Sequence, residues 1–229
     1  MNNLNSKKKN FPYIVVDSSF ILWGALDHRG FNRQGFIENC IKLKKLKRKG
    51  LRIINPIREE IVKLLAENRS PEICRCLDDI GSLREWNESN LSEEYFLDLF
   101  RKNVSDIGKN GSRLSGRAPL SLRDVEYCAY TLLKSREADI IAATADKLII
   151  DSLAYSFSLI YPLRKSLSWP ETNIVFARNY DELEFQVSLS GTMAKLSLVH
   201  EHYISHLYKL DHYRHISREI WQGKTGISD

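Results

Sequence analysis

Tyr13 to Val16 form a short apolar, largely β-branched run that stops on Asp17, the pattern of a buried first strand. Phe36, Ile37, Cys40 and Ile41 then recur at helical spacing, the helix stops near Gly50, and Leu51 to Asn55 reads as a second strand. Together they predict a βαβ unit. Pro56 suits the first turn of the next helix, in which Ile57, Ile61, Leu64 and Leu65 make one apolar stripe. Two further helices are predicted over residues 71–86 and 91–103, after which GKNGSRLSGRAP at 108–119 reads as an exposed loop, because it holds three glycines and a proline.

Ser121 can cap a helix whose Val125, Cys128, Ala129 and Leu132 share a face, and Ala138 to Thr144 then reads as a third strand with Asp146 just beyond it. A helix is predicted around Lys147 to Phe157. Strand candidates follow at Ser158 to Tyr161 and Asn173 to Ala177, of which only one need be real. The alternation predicts an α/β fold with a parallel-type sheet between helices. Leu196, Val199, Tyr203, Leu207 and Leu210 mark one stripe of a long helix or helix pair. The expected organisation is a basic flexible tail at 1–12, a globular domain at 13–190, a C-terminal helical appendage at 191–222 and a short tail at 223–229.

At 229 residues the chain is long enough for one core plus an appendage. The absence of any apolar run of about 18 residues predicts no membrane partner and a cytoplasmic location. Cys40, Cys74, Cys76 and Cys128 lack the paired spacing of a zinc site and read as reduced thiols. The net charge is only +5, but it is unevenly distributed. Lys42, Lys44, Lys45, Lys47, Arg48, Lys49 and Arg52 form the densest run, and Lys109, Arg113 and Arg117 dot the glycine-rich segment. A polyanionic partner is one reading of these cations; a solvated helix end complementing the macrodipole is the other.

Ligands of open α/β sheets bind beyond the carboxyl ends of the strands, where Asp17 and Asp146 both fall. Converging carboxylates suit a hard cation such as Mg²⁺, which takes oxygen ligands. On the third helix, Glu60 flanks the apolar stripe and Glu59 points away from it. On the Ser121 helix, Asp124 and Glu126 flank the stripe from either side, so periodicity leaves the choice open. Each acid also has a plainer use: a turn former or helix cap at Asp17 and Asp146, a capping box with Ser121 at Asp124, a surface charge at Glu60.

The segments YIVVDSSFIL, NPIREEIVKLL and SLRDVEYCAYTLLKSREADIIAATADKL resemble, in order and spacing, the successive motifs of the PIN-domain family, across residues 13–162. The resemblance implies a three-layer α/β/α fold with a central, mainly parallel sheet, and an acidic cluster binding Mg²⁺ or Mn²⁺ for RNA phosphodiester hydrolysis that leaves a 5′-phosphate. By motif position the catalytic acids are Asp17, Glu60, Asp124 and Asp146, with Asp17, Asp124 and Asp146 as metal ligands. Ser19 fits the small polar position after the first acid and Thr144 the threonine before the last. Both are grouped with the substrate-binding candidates Lys44, Lys45, Lys47, Arg48, Arg113 and Arg117. Ala145 departs from the family's usual asparagine, which puts one supporting hydrogen bond in question.

A haloacid-dehalogenase-like phosphatase also ends its first strand in aspartate, but it needs a second aspartate where this chain has Ser19. His202 and His206 have the i,i+4 spacing of a helical metal pair, yet Ile204 breaks the HExxH pattern, and an ordinary amphipathic helix accounts for them. The tyrosines there and Trp221 suit contact between copies, a homo-oligomer through the C-terminal helix. The alternative to a nuclease is a catalytically inactive PIN-like module that binds RNA or a protein.

Overall fold

A computed structural model of the chain describes residues 13–27, 30–46, 51–68, 70–81, 84–85, 91–116, 118–170, 172 and 174–189. The N-terminal tail, the C-terminal appendage with its histidines, and Lys47, Arg48 and Arg117 lie outside these residues.

Strand β1 (Tyr13–Val16) ends on Asp17, which caps the one-turn helix α1 (Ser18–Ile21). A small antiparallel hairpin, β2 (Leu26–Asp27) and β3 (Gly30–Phe31), precedes α2 (Arg33–Leu46). Then come β4 (Leu51–Ile53), α3 (Asn55–Leu64), α4 (Pro71–Gly81), β5 (Arg84–Glu85) and α5 (Leu91–Ser115). Helix α6 (Leu122–Lys134) leads into β6 (Ile140–Ala143), α7 (Lys147–Ser166), β7 (Ile174–Ala177) and α8 (Tyr180–Leu189).

The sheet has five strands in the order β5-β4-β1-β6-β7, and its pairings are parallel. The chain is therefore α/β. Helix α2 packs on α4, while α5, α6 and α7 pack together, a grouping compatible with three α/β/α layers. Val15, Val16, Ile141 and Ala142 are buried, as expected of central strands covered on both faces. No helix among the described residues is long and apolar enough to cross a membrane.

Three local expectations are corrected. The 108–119 segment is not a loop over most of its length: α5 runs through Gly108 and Gly111 to Ser115 and stops at Gly116, whose φ is +66°. Gly108 is there for close approach, since a Cβ would stand 2.7 Å from Leu120 Cδ1. The 71–86 helix ends at Gly81, and Arg84–Glu85 instead adds an edge strand to β4. Ser158 to Tyr161 is helical; Leu153, Phe157 and Ile160 form the inner face of α7, and the strand at Ile174–Ala177 is the real one of the two candidates.

Candidate acidic site at the sheet's carboxyl edge

Strand order reverses between β1 and β6, and the crevice outside the carboxyl ends of two such strands is where open α/β sheets bind ligands. Register does the first part of the assembly. Val16 lies opposite Ala143, so Asp17 and Thr144 leave the sheet side by side. A single-residue slip would turn these side chains to the other face.

Asp17 is 1% exposed and anchors a chain of hydrogen bonds joining the two strand ends. Its Oδ2 accepts from Ser19 Oγ at 2.5 Å, Ser19 N at 3.2 Å and Thr144 Oγ1 at 3.0 Å. Ser19 Oγ in turn accepts from Ala145 N at 3.1 Å, and Thr144 Oγ1 from Asp146 N at 3.2 Å. The bond at Ala145 comes from its backbone N–H and does not depend on its side chain. Ser19 and Thr144 are engaged in holding Asp17. Thr144 is fully buried, so the structure does not present it to a substrate.

Asp146 is exposed and caps α7, with Oδ1 accepting from Leu148 N at 2.7 Å and Ile149 N at 3.4 Å. Asp124 forms the capping box with Ser121: its Oδ2 accepts from Ser121 N at 2.7 Å, and its own N donates to Ser121 Oγ at 3.2 Å. Glu60 Oε1 accepts from Arg123 at 3.2 Å, whereas Glu60 Oε2 is buried with no hydrogen-bond partner. The plainer capping roles are therefore real, but each cap uses one carboxylate oxygen only.

The partners of the other two acids bear on the choice of face that periodicity left open between Asp124 and Glu126, and agree with the choice of Glu60 over Glu59. Glu59 is exposed and takes a bond from Asn55, while Glu126 makes a two-point ion pair with Arg101 of α5 at 2.7 and 2.9 Å. Glu60 and Asp124 are left as acids within reach of one another's charge, and Asp124 also of Asp17 and Asp146.

These charges act on one another. Burial pushes the Asp17 carboxyl up to about 6, against the lowering effect of the Ser19 and Thr144 hydroxyls, and the charge of Asp124 adds to the rise. Burial likewise raises Asp124, the Ser121 bonds oppose it, and Asp146 and Glu60 push it further up. Beneath them Cys128 is fully buried, its thiol held high by burial and then by the charges of Asp124, Asp17 and Asp146. Asp124 feels Asp146 and Glu60, and its own charge reaches Asp17.

Hard carboxylate oxygens and an orphaned buried Glu60 Oε2 are the donor chemistry of a Mg²⁺ or Mn²⁺ site. Among the described residues, though, no three such side chains already stand in ligating positions.

Three contributors went unnoticed in the sequence. Arg123 faces Glu60. Tyr127, fully buried, donates its hydroxyl to Val15 O at 3.0 Å and bridges toward Ala143 O at 3.4 Å, tying β1 to β6 under the acids. Trp23 is exposed just after α1. Only Arg123, adjacent to Asp124, had a signal in its position.

The cations divide between the two edges. A helix leading into a parallel strand runs against it, so the end of α2 lies over the amino ends, opposite the acids. Lys44 and Lys45 are there, and Lys44 pairs with Asp79 near the end of α4 at 3.1 Å. The structure does not bring them to the site. Arg113, near the end of α5, falls on the acid side, as do Arg123, Lys147 and Arg178.

No family model, no curated protein and no solved structure matches the chain.

Proposed function

We propose that the chain is a metal-dependent endoribonuclease with a PIN-like domain, hydrolysing RNA phosphodiester bonds at the carboxyl edge of its sheet. The observation that carries this reading is the charge influence that links Asp124 to Asp17, Asp146 and Glu60, acids from four separate segments, with Asp17 at the point where strand order reverses. Each commits one carboxylate oxygen strongly to the protein.

In this reading Asp17, Asp124 and Asp146 hold Mg²⁺ or Mn²⁺, which when bound activates water and offsets phosphate charge. Ser19 and Thr144 fix Asp17, and Tyr127 fixes the strand ends beneath it. Arg123 holds Glu60 through one carboxylate oxygen and leaves the other without a protein partner. Arg113, Lys147 and Arg178 offer cations to a polyanion, whose backbone contacts position without specifying sequence.

The test is cleavage of labelled RNA with Mg²⁺ or Mn²⁺ by wild type and by Asp17→Asn and Asp146→Asn. Wild type is expected to cut, and each variant to lose at least about 100-fold, the scale of perturbing a metal site. Wild type that binds RNA yet cuts neither RNA nor DNA with any divalent ion overturns the reading. That outcome favours the inactive RNA-binding module, for which the Arg123–Glu60 ion pair speaks.

A further inference from the structure

Trp23 is 53% exposed, although burying an indole is among the larger stabilisations available to a side chain. Its backbone is nonetheless held firmly. Asn39, buried on α2, donates to Ile21 O at 3.0 Å and to Trp23 O at 2.7 Å, so a buried amide serves the turn that displays the ring. Trp23 N donates to Phe20 O at 3.2 Å, and Ala25 N to Leu22 O at 2.8 Å. Gly24 follows at φ +70°, a conformation that a residue with a Cβ rarely takes. Its carbonyl comes so close to Gly35 that a Cβ there would stand 3.0 Å away.

That contact also locates the turn. Gly35 is in the first turn of α2, which begins over the carboxyl edge of the sheet, so the turn that exposes Trp23 lies at the same edge as Asp17, six residues after it. Arg33 opens α2, exposed on the same side.

We infer that Trp23 is a stacking platform for an unpaired base of the substrate strand. The inference deepens the nuclease reading and rests on it for the site's chemistry. A flat π-face takes any base and cannot reach one inside a duplex, so the platform selects unpaired strands without reading sequence. Arg33 supplies a cation for the flanking phosphates. An exposed tryptophan can also anchor a protein partner, but its place at the same sheet edge as the proposed nuclease site and as Arg33 favours the nucleic acid.

The experiment titrates the full chain, in EDTA to prevent cleavage, with a short single-stranded oligoribonucleotide and with its duplex, following tryptophan emission and affinity. Wild type, Trp23→Ala and Trp23→Phe are compared, with circular-dichroism melts as the folding control. Expected are quenching of wild type by the single strand, loss of that quenching in Trp23→Ala with binding weakened about tenfold, and affinity within about twofold of wild type in Trp23→Phe, as one base on one ring requires. Undiminished binding by Trp23→Ala, equal quenching by the duplex, or no binding by wild type overturns the platform; the last outcome would point the ring toward a protein partner. Cleavage with Mg²⁺ or Mn²⁺ is scored separately. A protein that quenches but never cuts keeps the platform and removes the nuclease, and one that cuts with Trp23→Ala unimpaired does the reverse.

Discussion

Asp17 is a carboxylate placed where ionisation is costly, since burial outweighs the three hydrogen bonds its Oδ2 accepts. Its folded value of about 6 lies above the ordinary 3.8, so between those values the folded state holds a proton the unfolded chain has released. Stability contributed by Asp17 is therefore greatest below about pH 4 and falls as pH rises toward 6. In EDTA, Asp17→Asn is expected to flatten that fall and to raise stability at neutral pH by about 1–3 kcal/mol, read from urea denaturation at pH 4 and pH 7. A variant less stable than wild type at pH 7 would contradict it. Asp17 and Asp146 were legible in sequence because strand ends are. Glu60 was half legible, from helix face. Asp124 was not separable from Glu126 until Arg101 claimed the latter.

Among the elements, α5 is the instructive one. Glycine normally argues against a helix interior by about 1 kcal/mol relative to alanine, and three in nine residues with a proline after them read as a loop. Helix α5 continues because Gly108 lets the segment before α6 lie against it, with Leu120 over the missing side chain. Gly108→Val is accordingly expected to destabilise by about 1–3 kcal/mol through forced displacement of Leu120, measured by thermal and urea melts. An unchanged melting temperature would mean that this contact is slack. Such a contact joins residues twelve apart across a turn, and no periodicity encodes it. The same limit hid β5, whose two residues show no alternation, and misread Ser158 to Tyr161, where a short apolar run fits a buried helix or a strand equally.

For the whole molecule the decisive feature is which edge each group reaches. Lys44 and Lys45 look like the natural RNA contacts in sequence, but α2 carries them about 17 Å down its length to the edge opposite the acids. Charges that far apart are screened beyond about 8 Å at physiological salt. Lys44→Ala combined with Lys45→Ala is thus expected to change RNA cleavage by no more than about twofold, whereas Arg113→Ala is expected to raise KM several-fold with kcat nearly kept. Steady-state kinetics on one labelled RNA compares them, and a larger loss in the lysine pair would show that the substrate wraps both edges. The sequence by itself determined the α/β class, the first and third strands, and the two strand-end aspartates, because these rest on local periodicity and on breaks in it. The tertiary structure decided which flanking acids lie within reach of one another's charge, that Ser19 and Thr144 hold Asp17, and which cations share its edge. Those are matters of strand order, register and helix direction, and they join residues far apart in the chain that no local pattern relates.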